Sequence, residues 1–389
     1  MTTGSVEDEH APFQETPRIS SVVASGTTFD GSRQCRRAPS GDASVRCLPI
    51  HRERQASLRR PFGFVIISRL ADLHNDERFV SYRTTKRDDR EIAERIGQLR
   101  GEETVGLIYR SVYDRFPEYM ERYETEEDAR HAYDQAIDCI LDIRRRKNRR
   151  VVETKNELDT PGPKSVLHIE GLNTVVTDGD LPRLAHLWDK GIRSLGSIYA
   201  HEDTIGGGNE ADANIGLKPL GEKIVLEATR LGMAVDLAHY NRKTKDDILD
   251  LMGKNGEGCV AYTHGSLFDT NKPNLRQRAI EETQVVEILR HGGLIGLSVC
   301  KPFVNSVEEL VQELVTVGEL SGFTGVSIGT DFGGVSNDGL IDGMRCYREL
   351  YDTLGKQLTD SSGVNDDEIH KIFGENIFSF THRMLPEGS

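Results

Sequence analysis

Eight short apolar runs separated by helical patterns constrain the fold of this chain more than any other feature. They are "FGFVIISRL" (62–70), "TVGLIY" (104–109), "SVLHIE" (165–170), "IRSLGSI" (192–198), "MAVDLAH" (233–239), "GCVAYTH" (258–264), "GLIGLSV" (293–299) and "GVSIGTD" (325–331). Each is too short for a helix of ordinary length, and their continuous apolar character suits strands buried on both faces. Between most of them lie segments of helical period: 126–147, 180–191, 220–232, 244–255, 282–293 and 307–322. Several of these segments end in Gly just before the next strand, a common helix stop. Strand alternating with helix predicts a parallel α/β sheet, and eight units predict a closed (β/α)8 barrel of the TIM type. An open doubly wound sheet is the competing architecture. No GxGxxG follows the first strand, which weakens its dinucleotide-binding form.

The rest of the chain is read around that unit. Residues 1–60 are rich in Ser, Arg, Thr and Gly without sustained periodicity, and read as a disordered extension ahead of one domain, 61–389. The first residues carry no apolar signal-peptide core, and no run is long enough to span a bilayer. The net charge of −14 argues against a nucleic-acid partner. Six scattered Cys residues without CxxC spacing form neither a disulfide framework nor a thiolate metal site. A cytoplasmic enzyme without a membrane partner is the expectation. The Gly-rich stretch "TIGGGNEADANIG" (204–216) lacks the Lys-Ser/Thr of a phosphate loop and reads as a mobile cover over a site. The run "RRRKNRR" (144–150) reads as a solvated helix end.

In a barrel of this type the active site lies at the C-terminal ends of the strands. Those ends carry His74 and Asp76 after the first run, Glu170 after the third, Tyr199 and His201 after the fourth, His239 after the fifth, His264 after the sixth and Asp331 after the eighth. One His at a strand end is more often structural than a ligand. Four strand ends that together carry His74, Asp76, Glu170, His239 and His264 form a candidate metal set. Imidazole and carboxylate donors suit Zn²⁺, and also Mn²⁺, Co²⁺ or Fe²⁺. Five donors are many for one catalytic ion and natural for two that share a carboxylate. Two ions ~3.5–4 Å apart hold a hydroxide between them and polarise a carbonyl or phosphoryl oxygen. Glu170 is the candidate bridge. His168, two residues earlier on the same face, reads as a neighbour of the ligands or a buried core residue; Asp236 reads the same way. His131, His186, His291, His370 and His382 fall in helical patterns and read as surface or packing residues.

The ordered set "DLHND" (72–76), "HIEG" (168–171), "DLAH" (236–239), "YTH" (262–264) and "GTDFGG" (329–334), with "GENIFSFTHRML" (374–385) near the end, resembles the membrane (renal) dipeptidase family of zinc peptidases. The resemblance implies a (β/α)8 barrel that binds two zinc ions and cleaves dipeptides. It implies that His74 and Asp76 bind the first zinc, that Glu170 bridges, and that His239 and His264 bind the second. It makes Asp331 the acid–base residue and assigns the substrate's terminal carboxylate to Arg278, with Arg276 the competing choice. The family's His after strand four, which contacts the substrate carbonyl, is replaced: Tyr199 stands at that place and His201 two positions later. The second Asp of the family's "DFDG" is Gly333 here. By analogy the chain is expected to form a homodimer.

Three functions are therefore weighed. The first is a dipeptidase in which a bridging hydroxide attacks the peptide carbonyl, Tyr199 or His201 steadies the oxyanion and Asp331 moves a proton to the leaving amine. The second keeps the metal centre but opens another amide, lactam, lactone or ester of a specialised metabolite. The third is a barrel retained as a binding or scaffold protein.

Overall fold

The computed structural model describes residues 71–77, 102, 105–113, 134, 137–138, 140–146, 148–172, 181–256, 258–332, 341–343 and 346–388, with the backbone alone at 72–77 and 113. All of them belong to one unit, Arg60–Ser389. The expected disordered extension lies outside the described residues.

Among the described residues nine strands form one sheet: β1 (Ala71–Glu77), β2 (Leu107–Tyr113), β3 (Arg150–Val151), β4 (Lys164–Glu170), β5 (Ile192–Gly196), β6 (Ala234–Asp236), β7 (Cys259–Tyr262), β8 (Leu294–Leu297) and β9 (Val326–Ile328). The hydrogen-bonded order is β1-β2-β4-β5-β6-β7-β8-β9, with two-residue β3 attached to β4, and every pairing is parallel. The first and last strands, β1 and β9, pack against each other. The result is a curled parallel sheet of the TIM-like class, as the alternation predicts.

Helices connect the later strands: Leu181–Asp189, Pro219–Leu231, Arg242–Asn255, Glu282–Arg290 and Val307–Ser321; Tyr347–Ser362 follows the last strand. Gly232 shows how the turnover works. It sits in the left-handed region at φ 81°, stops the helix Pro219–Leu231 and lets β6 begin two residues later. None of the described helices is long and apolar enough to cross a membrane.

Strand alternation divides β4 between two surroundings. Leu167 and Ile169 join the core shared with helix residues Leu184, Ile224, Ile248 and Leu314. Val166 joins Ala71, Leu107, Tyr109, Ala234, Ala261 and Leu294 in a second apolar cluster. That cluster is closed by the helix Asn376–Met384 through Ile377, Phe380 and Met384. The Tyr109 hydroxyl lies 2.8 Å from Thr381 Oγ1, and Asn376 Nδ2 donates to the carbonyls of Phe323 and Val326. A polar tier follows along β4: His168, then Glu170 at the C-terminal end.

Several expectations change. The pair His74 and Asp76 lies in the second half of β1, as expected of a strand end, but the strand is Ala71–Glu77 itself; the run 62–70 lies outside the described residues. The β1–β2 register shifts between Asp72 and Asn75, so the ladder is irregular there. The second strand runs on past "TVGLIY" to Tyr113, because its charged Arg110 is accommodated by a buried ion pair with Glu102. The basic run 144–150 is not one solvated face. Arg149 is buried and donates to the carbonyls of Glu102, Val105 and Lys164, since a planar guanidinium can satisfy several carbonyls at once.

Candidate metal centre

Glu170 closes β4, and its carboxylate is divided between two tasks. Oε2 accepts a hydrogen bond from Ser111 Oγ on β2 at 3.0 Å, leaving Oε1 to face across the sheet. His239, three residues past β6, brings Nε2 to 2.6 Å from that Oε1. His264, two residues past β7, brings Nε2 to 3.9 Å from it and to 3.1 Å from His239 Nε2. These three side chains meet as a possible metal-holding group among the described residues. One carboxylate oxygen and two imidazole nitrogens converging on a shared point form a donor set for a divalent cation such as Zn²⁺, so the residues fit a metal.

His239 reaches this point through an uncommon backbone. Its φ is 67°, in the left-handed region that costs most side chains roughly 1–3 kcal/mol. The backbone N–H of Asn209 donates to the His239 carbonyl at 2.7 Å, and the Tyr199 ring stacks on the imidazole at 4.2 Å. Burial, and next the Arg278 cation, push the His239 imidazole pKa down, against the pull of Glu170. The neutral ring, the form that offers a lone pair, is thereby favoured.

The Gly-rich stretch does a different job from the one expected. Residues 205–208 are buried, and Gly208 forms an isolated bridge with Tyr240 beside His239. A Cβ on Gly208 would lie 2.3 Å from the Ala200 carbonyl oxygen. The glycines allow close backbone approach, so 205–208 is a packed brace rather than an open cover, while 210 and 212–214 are exposed. Just before the brace, burial pushes the Asp203 carboxyl up to about 7, while the backbone N–H groups of Ile205 and Gly206 donate to its Oδ1.

Arg278 and Arg276 are separated by burial. Arg276 is exposed. Arg278 is buried, with Nη2 donating toward His239 Nε2 at 3.0 Å and His264 Nε2 at 2.6 Å. Its backbone carbonyl accepts from Lys245 Nζ at 3.0 Å and Tyr262 Oη at 3.0 Å. Lys245 is fully buried, which pushes its amine well below the usual range. Tyr199 and His201 also part company: Tyr199 lies on His239, while His201 is exposed and pairs with Glu210 at 3.5 Å. Asp331 is half-buried three residues past β9, with φ 54°. The Cys300 thiol donates to the carbonyl of the preceding Thr330.

The remaining two expected ligands are on β1. Asp76 pairs in register with Ser111, the residue whose hydroxyl holds Glu170. The side chains of His74 and Asp76 lie outside the described residues, as does Gly333. Ser111, Lys245, Tyr262, Asn209 and Thr263 escaped sequence reasoning. Tyr262 and Thr263 stood inside "YTH", and Ser111 falls on the same period-two face of its strand as Tyr109.

Residues 68–384 match the model of the membrane dipeptidase family, peptidase family M19. The chain belongs to that family. Among its relatives are dipeptidase tcpJ of Claviceps purpurea, 25% identical over 55% of this chain and 49% of that protein. Dipeptidase aclJ of Aspergillus oryzae is 27% identical over 57% of this chain and 53% of its own. The chain thus spans about half the length of the curated relatives it matches. Among solved structures, the dipeptidase AC of the same family superposes with a TM-score of 0.64 at 20% identity, covering 81% of this chain and 98% of that one. A Rhodobacter sphaeroides metallo peptidase liganded with a phosphinate mimic of the dipeptide L-Ala-D-Ala gives 0.63 at 20% identity, covering 81% and 99%. These likenesses concern the fold.

Proposed function

We propose that the protein is a metal-dependent dipeptidase that acts on small substrates at the C-terminal ends of its strands. The observation that carries the reading is the meeting of Glu170 Oε1, His239 Nε2 and His264 Nε2 around one point, with the guanidinium of Arg278 beside them. Family membership and the names of the relatives support the same reading. Glu170, His239 and His264, with His74 and Asp76, would hold two zinc ions per chain. The close approach of β1 and β9, which supports a closed (β/α)8 barrel, would bring the two halves of that ligand set to one mouth.

A bound metal pair supplies Lewis acidity toward the scissile carbonyl and a water activated for attack. The chain's own residues do the rest. Ser111 holds Glu170 in one orientation. Arg278, released from the imidazoles once their lone pairs are engaged, offers a planar pair of N–H donors to a terminal carboxylate. Its backbone is held for that task by Lys245 and Tyr262. Tyr199 stands beside the ligands with a phenol able to donate to the carbonyl oxygen. Asp331 is the candidate that carries a proton to the leaving amine. The carboxylate clamp next to the scissile bond favours dipeptides over longer chains.

Metal analysis of purified protein, with hydrolysis of a mixed dipeptide panel before and after chelation, tests the reading. Bound metal with chelator-sensitive cleavage is expected. Bound metal without dipeptide cleavage would favour the second reading, a metallohydrolase for another amide, lactam, lactone or ester. That reading rests on Tyr199 standing where the family's His is expected, with His201 turned away to Glu210.

A further inference from the structure

Beneath the ligands runs a chain of polar side chains to which no role has yet been assigned. Asp236 closes β6 and is 1% exposed. Its Oδ1 accepts the backbone N–H groups of Ala238 at 3.0 Å and Thr263 at 2.9 Å. Its Oδ2 accepts the Thr263 hydroxyl at 2.6 Å. Thr263 Oγ1 lies in turn 3.0 Å from His264 Nδ1. On the other side, His168 Nε2 is 3.5 Å from Asp236 Oδ2, and His168 Nδ1 is 3.0 Å from Ser194 Oγ.

A carboxylate accepts only, so the single hydroxyl proton of Thr263 goes to Asp236. Thr263 Oγ1 then has only lone pairs left for His264, and Nδ1 must carry the ring proton. A second contact gives the same answer independently. Arg278 Nη2 is 2.6 Å from His264 Nε2, and a guanidinium has no lone pair to offer, so Nε2 is the acceptor. Both ends of the imidazole therefore select the Nδ1–H tautomer, which aims the Nε2 lone pair at Glu170 and His239.

We propose that Thr263 and Asp236 are positioning residues that set the tautomer of His264 and thereby make it a metal ligand. The inference rests on the reading of His264 as a ligand but can fail separately from it. Asp236→Asn has a specific consequence. The two backbone N–H groups still require an oxygen at the Oδ1 position, so the amide nitrogen falls where Oδ2 was. That nitrogen donates to Thr263 Oγ1, the hydroxyl proton turns toward His264 Nδ1, and the ring is driven to the Nε2–H form. The ligand lone pair then points away from the site. Thr263→Val keeps the shape and removes the hydroxyl; Thr263→Ser restores it.

The experiment has two arms. In metal-free full-length protein labelled with ¹⁵N-histidine, at pH about 8.5 where imidazole is ordinarily neutral, nitrogen shifts report which ring nitrogen of His264 is protonated. Wild type and Thr263→Ser are expected to show Nδ1–H, and Asp236→Asn to show Nε2–H. In the second arm, zinc affinity is measured by competition with a chromogenic chelator. Thr263→Val is expected to lose about 10- to 100-fold and Asp236→Asn at least as much, while Thr263→Ser keeps the wild-type value. Nε2–H in the wild type, an unchanged tautomer in Asp236→Asn, or wild-type zinc affinity in Thr263→Val would overturn the proposal. The chelator arm reads binding without turnover, and the tautomer arm needs no metal. A wild-type protein that shows Nδ1–H but takes up no zinc would count against the metal reading of His264, and with it the second half of the proposal.

Discussion

The two ends of the sheet are built on opposite principles. At the end from which β4 starts, Val166, Leu107 and Leu294 pack with Ile377, Phe380 and Met384 of the closing helix. The polar groups beside them are tied to the backbone, as buried Arg149 is to the carbonyls of Glu102, Val105 and Lys164. At the other end, Glu170, His239, His264 and Arg278 crowd together, and His239 and Asp331 hold left-handed backbones. One end gains stability from burial, at ~25 cal/mol per Å² of apolar surface. The other keeps polar groups facing one another in strained positions, an arrangement characteristic of function. Separating the two lets a barrel vary its chemistry without giving up its core.

The contrast can be broken by substitution, and the largest effect is expected at the apolar end. Phe380→Ala removes a buried ring and should lower stability by about 3–5 kcal/mol in chemical denaturation, while the folded fraction keeps its metal affinity. At the polar end Glu170→Gln should do the reverse. Metal affinity and hydrolysis should fall at least about a hundredfold, beyond what disturbing an outer partner of a ligand costs, with little change in denaturation midpoint. Equal losses of stability in both variants would erase the distinction.

Two smaller effects sharpen it. Gly208→Ala forces a methyl against the Ala200 carbonyl in the brace behind His239. It should cost about 1–3 kcal/mol and lower metal affinity as well, because the brace includes the Asn209 bond to His239. A stability loss with unaltered metal binding would show that the loop does not support the ligand. The smallest effect concerns Glu313, whose carboxyl burial pushes up from an ordinary 4.5 to about 8. Its folded-state pKa lies above the unfolded one, so the folded state holds the proton longer. The stability contributed by this group is complete below about 4.5 and falls as pH rises toward about 8. Glu313→Gln still accepts the Leu267 N–H and cannot ionise. Its midpoint minus that of the wild type should therefore grow across that pH interval. A constant difference would remove the pH role of Glu313.

Much of this was legible in the chain because it is local. Strand against helix is a matter of periodicity within a dozen residues, and ligand-bearing strand ends follow from counting along each run. Glu170, His239 and His264 were legible for that reason, and the sheet brought them together. The choices that stayed open in the sequence turn on direction. Tyr199 and His201 are two residues apart, and so are Arg276 and Arg278; spacing makes each pair look equivalent. Backbone path and burial separate them, sending His201 to Glu210 and Arg278 to the imidazoles.

The sequence by itself determined the order of strands and helices and the residue types available at the strand ends, because both depend on near neighbours in the chain. Only the tertiary structure decided which oxygen of Glu170 takes the Ser111 hydroxyl and which faces His239, which groups meet the two ring nitrogens of His264 and why the glycines at 206–208 are needed. Those depend on Ser111, Thr263, Asp236 and Ala200, groups brought near by packing between strands and loops, where no period in the sequence records which atom will face which.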